Sequence, residues 1–125
     1  MKKLYFNQEA YMNITINIRQ KIGSSSALTR EQGKIIYDAL IDNFQNGNHV
    51  TLDFSNIESL ITPFLNVAIG KLYETYSSEE IRKYLQLDNI PSGKSSSINL
   101  VISNAKRYYS DHTAFENNIK ELIGE

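Results

Sequence analysis

Apolar and polar positions alternate with two distinct periods along the chain. Residues Asn13-Ile14-Thr15-Ile16-Asn17-Ile18 alternate strictly, with the three isoleucines on one side, as in a half-buried strand. His49-Val50-Thr51-Leu52-Asp53-Phe54 repeats that pattern, and Leu85-Gln86-Leu87-Asp88-Asn89-Ile90 carries it a third time. Leu4-Tyr5-Phe6 and Tyr11-Met12 are candidates for an edge strand. Between these runs the spacing changes to the helical period. Thr29-Arg30-Glu31-Gln32 fits a capping box and opens a helix to about Gln45. Its stripe is Ile36, Leu40 and Phe44, widened by Tyr37 and Ile41, and Asn46-Gly47-Asn48 closes it.

A second helix is expected from Pro63 to about Tyr76, with Thr62 as its N-cap and Pro63 at the first helical position. Its apolar arc is broad (Phe64, Leu65, Val67, Ala68, Ile69, Leu72, Tyr73). Asn66, Gly70 and Glu74 form the opposite line. Ser77-Ser78-Glu79-Glu80 is another capping box, before a short helix to about Tyr84. Ile98, Val101, Ile102, Ala105 and Tyr108 predict a helix from about Ser96 to Tyr109. Thr113-Ala114-Phe115-Glu116 predicts a separate terminal helix. Strands alternating with helices imply an α/β fold with right-handed crossovers and a mostly parallel sheet. No linker or internal repeat divides the 125 residues, so one domain spanning 1–125 is expected.

Composition narrows the function classes. Net charge is −1, without the basic surplus of a dedicated nucleic-acid binder, so no nucleic-acid partner is expected. The cluster Lys106-Arg107-Tyr108-Tyr109 is too short to change that. The chain has no cysteine, which excludes thiol nucleophiles and thiolate metal sites. His49 and His112 have no metal-ligand spacing, so neither a metal nor another cofactor is expected. Met1-Lys2-Lys3 is not followed by the apolar stretch of a signal peptide, and no segment is long and apolar enough to span a bilayer. A cytoplasmic protein without a membrane partner is the expectation. The lysine, asparagine and isoleucine bias suggests a bacterial or phage coding sequence.

The most informative segment is the strand, loop and helix from Leu52 to Tyr73. It places a carboxylate, Asp53, at a strand end, followed by an exposed loop and a helix start. In open α/β sheets this carboxyl edge is where ligands and partners bind. Asp53 is expected to be structural, bonding loop amides, because catalysis would require a base, metal or second carboxylate beside it. Gly93-Lys94-Ser95 lacks the earlier glycine of a phosphate-binding loop, Asp88 standing in its place.

Thr29-Arg30-Glu31-Gln32-Gly33, Leu52-Asp53-Phe54-Ser55-Asn56-Ile57, Phe64-Leu65 and Gly70 together resemble the signature region of STAS domains, over roughly residues 12–110. More specifically the chain is similar to the STAS-like domains of unknown function of bacteria and phages, and more distantly to anti-anti-sigma factors. The resemblance implies a mixed sheet of about four strands with helices mainly on one face. It also implies a non-catalytic regulatory role with a protein partner such as a histidine-kinase-like ATPase.

The expected contact surface is Ser55, Asn56, Glu58, Ser59 and Thr62. Thr62 and Ser59 are the candidate phosphate acceptors, and Arg30 is a candidate anion contact. In anti-anti-sigma factors a serine at this helix start is phosphorylated. Aligned without gaps from Asp53, Pro63 stands in that place, and proline accepts no phosphate. The alternative expectation is a small-molecule or nucleotide sensor binding at the start of the Pro63 helix. Oligomeric state and the identity of any partner are not encoded in a readable motif.

Overall fold

The computed structural model describes the backbone of residues 11–122 and the side chains of residues 11–110. The elements run β1 (Asn13–Asn17), α1 (Ile18–Ile22), β2 (Ser26–Ala27), α2 (Arg30–Gln45), β3 (His49–Asp53), β4 (Ser59–Leu60), α3 (Thr62–Ala68), a 3-10 helix (Gly70–Glu74), α4 (Ser78–Tyr84), β5 (Leu85–Asp88) and α5 (Ser95–Leu122). The main sheet has the order β1-β3-β5, and β2 and β4 form a second, two-stranded sheet. All described ladders are parallel, so the mixed character expected of the sheet is not seen among them.

Register fixes the two faces. Ile14, Val50 and Leu85 lie abreast, followed by Ile16, Leu52 and Leu87. Val50 and Leu52 are buried, and α2 and α4 pack against β3. The other face carries a polar row (Thr15, Thr51, Gln86), then Asn17, Asp53 and Asp88. One face is thus covered by helices and the other is polar, as the period-2 alternation requires.

Both capping boxes form. Thr29 Oγ1 accepts from the Gln32 N–H at 3.0 Å, and Gln32 Oε1 accepts from the Thr29 and Leu28 amides. Ser77 and Glu80 exchange the same pair of bonds. The α2 stripe of Ile36, Leu40 and Phe44 is buried as its spacing predicts, joined by Gly33. There α2 crosses α3 so closely that a Cβ on Gly33 would lie 2.6 Å from the Phe64 carbonyl oxygen.

Several boundaries differ from the expected ones. Ile18 opens α1 instead of ending β1, because the Asn17 side chain accepts the Gln20 N–H and caps a helical turn. β2 and β4 are only two residues long, and Gly23-Ser24-Ser25-Ser26, whose composition predicts a loop, ends in the first residue of β2. Tyr11 and Met12 form no strand, although the Met12 carbonyl accepts the His49 N–H at 2.9 Å and the Tyr11 ring stacks on His49. Leu4-Tyr5-Phe6 lies outside the described residues. β5 stops at Asp88 because Asn89 takes a left-handed conformation, φ 57°.

The Pro63 helix does not run unbroken to Tyr76. It ends at Ala68 and tightens into the 3-10 helix, with Gly70 buried against Val101 and Ala105 instead of lying on the solvent side. Thr113 opens no new helix: α5 continues from Ser95 to Leu122 in one piece. Tyr108, expected on its apolar stripe, is 60% exposed, while Ile98, Val101 and Ala105 are buried.

Candidate functional site

β3 ends at Asp53, whose carboxylate ties the carboxyl edge of the sheet together. Oδ1 accepts from the Ser55 hydroxyl at 2.6 Å, the Ser55 N–H at 3.0 Å and the Asn89 side-chain amide at 2.9 Å. Oδ2 accepts from the Asn17 side-chain amide at 3.1 Å. One side chain therefore connects the ends of β1, β3 and β5 to the loop that follows.

The Ser55 hydroxyl first, then Asn89, the Ser55 amide and Asn17, hold the Asp53 carboxyl well below the usual carboxylate range, outweighing the opposing effect of burial. All four donors are neutral, and none is a base. A carboxylate kept ionised in this way is poorly suited to shuttle a proton near neutral pH. Its cross-strand neighbour Asp88 accepts from Gln86 at 2.9 Å.

The loop after Asp53 is anchored from beneath by Phe54, Ile57 and Leu60, all buried. Asn56 turns it in a left-handed conformation, φ 63°, which asparagine tolerates better than most residues. The Glu58 and Ser59 amides both donate to the Ser25 carbonyl, at 2.8 and 3.2 Å, and the Ile61 amide donates to the Ala27 carbonyl at 3.2 Å. Ser26 and Ala27 lie beside Ser59 and Leu60 in parallel register. α2 and α3 begin a few residues beyond these paired strands, so their first turns emerge side by side.

This geometry sorts the expected surface residues. Asn56, Glu58, Ser59 and Thr62 are exposed. Ser55 is half-buried and committed to Asp53, so it belongs to the loop anchor. Thr62 is the first residue of α3, not its cap. The N-cap position is Ile61, and no side chain bonds the helix amides there. Arg30 stands exposed in the first turn of α2 and makes no ion pair among the described residues. Leu28 and Ile61, the residues that directly follow the paired strands β2 and β4, are 38% and 44% exposed. The paired helix starts thus form a small apolar step between Arg30 and Thr62.

Beyond the loop lies an open groove of about 560 Å³. Asn17, Arg19 and Gln20 form one wall, Gly23, Ser24 and Ser25 another, and Asn56 closes it. Neither Ser59, Thr62 nor Pro63 lines it. The strand order β1-β3-β5 also has no reversal among the described residues, so the sheet offers no topological switch point there. No group of three or more His, Cys, Asp or Glu among the described residues could hold a metal ion. No described helix is long and apolar enough to cross a membrane.

Asn17, Asn89, Arg19, Gln20, Ser24 and Ser25 were not anticipated as part of this edge. A signal did exist: each of the three alternating runs carries a side-chain amide or carboxylate just before its last residue, at Asn17, Asp53 and Asp88-Asn89.

Parallel strands in two sheets with intervening helices make this an α/β fold, and part of it is similar to a STAS-like family. Residues 32–92 match the family model of the STAS-like domain of unknown function (DUF4325), a narrower span than the resemblance suggested. The match starts inside α2 and stops after β5, so it contains Asp53, the loop and α3, but not α1, β2 or α5. No curated protein and no solved structure matches the chain.

Proposed function

We propose that the chain is a non-catalytic regulatory domain that works by binding another protein. Its contact surface is the paired start of α2 and α3: Leu28, Arg30, Glu58, Ser59, Ile61 and Thr62. The observation that carries this reading is the pair of exposed aliphatic side chains that directly follow β2 and β4, Leu28 and Ile61, set between polar and charged neighbours. An apolar centre within a polar rim is the usual anatomy of a protein interface. The state of Asp53 supports the non-catalytic part, since its oxygens are occupied by neutral donors that hold the loop in place.

By family resemblance the partner is a signalling protein, such as a histidine-kinase-like ATPase, met in the cytoplasm. Thr62 and Ser59 are exposed hydroxyls on this surface, and a phosphate on either would place negative charge at the contact. A ligand sensor at the start of α3 lacks comparable support, because Ser59, Thr62 and Pro63 do not line the groove.

The test is affinity capture from the native host with wild type, Ile61→Asp and Thr62→Glu, together with mass spectrometry of Ser59 and Thr62. The wild type should retain a defined protein that Ile61→Asp loses. An identical set retained by all three, or nothing retained by the wild type, refutes the proposed surface.

A further inference from the structure

A second site is built where residues of α1, the segment before β2 and Asn56 enclose the open groove. Its volume, about 560 Å³, falls in the range of small-molecule sites, and its walls are fixed by hydrogen bonds. The Asn17 side chain accepts the Gln20 N–H through Oδ1 at 2.9 Å and donates to Asp53 through Nδ2 at 3.1 Å, which sets the first turn of α1. Ser55, on the same carboxylate, positions Asn56. One acidic side chain thus braces both sides of the groove without lining it.

The third wall is held separately. The Ser24 hydroxyl donates to the Ser26 carbonyl and accepts the Ser26 N–H, at 3.2 and 2.9 Å. The Ser25 carbonyl joins this wall to the Asn56 loop through Glu58 and Ser59. Binding to walls already braced in this way costs little ordering entropy.

The lining chemistry selects the ligand. Arg19 is the one charged side chain in the groove and has no ion-pair partner among the described residues. The side-chain amides of Gln20 and Asn56 and the Ser25 hydroxyl likewise show no protein hydrogen bond there. No aromatic ring and no long aliphatic side chain lines the groove, so it offers no stacking platform for a base or ring system. A guanidinium presents a planar fork of donors matched to carboxylate and phosphate oxygens.

We propose that this groove binds a small polar metabolite through a carboxylate or phosphate group, held by Arg19 with Gln20, Ser25 and Asn56 as neutral partners. The site is separate from the protein-contact surface at Leu28 and Ile61, and neither depends on the other.

The experiment is a 15N–1H NMR titration of the full chain with inorganic phosphate and, separately, succinate, against sodium chloride at matched ionic strength. Phosphate, succinate or both should give saturable shifts at the amides of Ser24, Ser25 and Asn56, and the more effective probe identifies the preferred group. Arg19→Gln, an exposed substitution, should weaken that binding at least tenfold while leaving the remaining spectrum in place. Shifts matched by chloride, shifts centred on Thr29 and Thr62, or an unchanged affinity in Arg19→Gln would each overturn the assignment.

Discussion

Gly33→Ala tests the close crossing of α2 and α3. The added methyl carbon would lie 2.6 Å from the Phe64 carbonyl oxygen, 3.0 Å from the Val67 Cβ and 3.2 Å from the Ala68 nitrogen. Ordinary contact begins at 3.4 Å, and the nearest atom is backbone, which cannot swing aside. α2 and α3 must therefore part. A gap of roughly 0.5–1 Å removes a quarter to a half of each dispersion contact across it. Overpacking of this kind costs roughly 1–3 kcal/mol, and the better helix propensity of alanine returns about 1 kcal/mol.

Because two of the three contacts are backbone atoms, the upper part of that range applies, and the net loss is about 2 kcal/mol. For a chain of this length that lowers Tm by roughly 8 °C. Gly70→Ala is the matched control: its nearest atoms are at 3.6 Å, so it should be neutral or slightly stabilising. Val67→Ala retains the Cβ at 3.0 Å and should not rescue Gly33→Ala. Thermal melts followed by circular dichroism read all four proteins. A Gly33→Ala melt equal to or above wild type would refute the close crossing of α2 and α3.

Asp53 gives the acid dependence. Its folded pKa lies below the unfolded value of about 3.9, so the unfolded chain takes up the proton first as pH falls. Its contribution to stability is complete above that value and is lost as pH drops towards the folded pKa. Asp53→Asn should be less stable than wild type at neutral pH, and the two stability curves should converge on acidification; parallel curves between pH 7 and 2 would refute the linkage. The two threonines at helix starts should behave differently in urea unfolding. Thr29→Ala removes a real cap and should cost about 1 kcal/mol, whereas Thr62→Ala removes no cap bond and should stay within about 0.5 kcal/mol. Equal losses would refute the placement of Ile61 as the N-cap.

Sequence patterns revealed the parts of this fold set by local physics. The alternation in β1 and β3, the α2 stripe and both capping boxes depend on residues within a few positions of one another, and all appear where expected. What was hidden depends on distant partners. Two-residue strands have no periodicity to detect, and Ser26 and Ala27 become a strand only because Ser59 and Leu60 lie beside them. Thr62-Pro63 carries every local sign of an N-cap, yet the helix start is shifted one residue earlier by the Ile61–Ala27 bond. Gly70 looked solvent-facing on a helical wheel until α5 packed over it. At the candidate site Asp53 was legible from its position at a strand end, whereas Asn17 and Asn89, each 36 positions away, were not.

That separation also sets the order in which the molecule assembles. Among the described residues the main sheet contains no hairpin; each of its ladders joins segments some 36 positions apart. Such contacts give no return until a long loop has been closed, which slows folding relative to helical domains of similar size. The stretches between strands are largely helical, and helices form on far shorter timescales than distant strands meet. β3 is hydrogen-bonded on both sides, so it must wait for a segment from each direction of the chain. The carboxylate of Asp53, which receives one amide from each of those segments, is satisfied only when both have arrived. The loop beside it therefore gains its full set of anchoring bonds only once both pairings of β3 are in place.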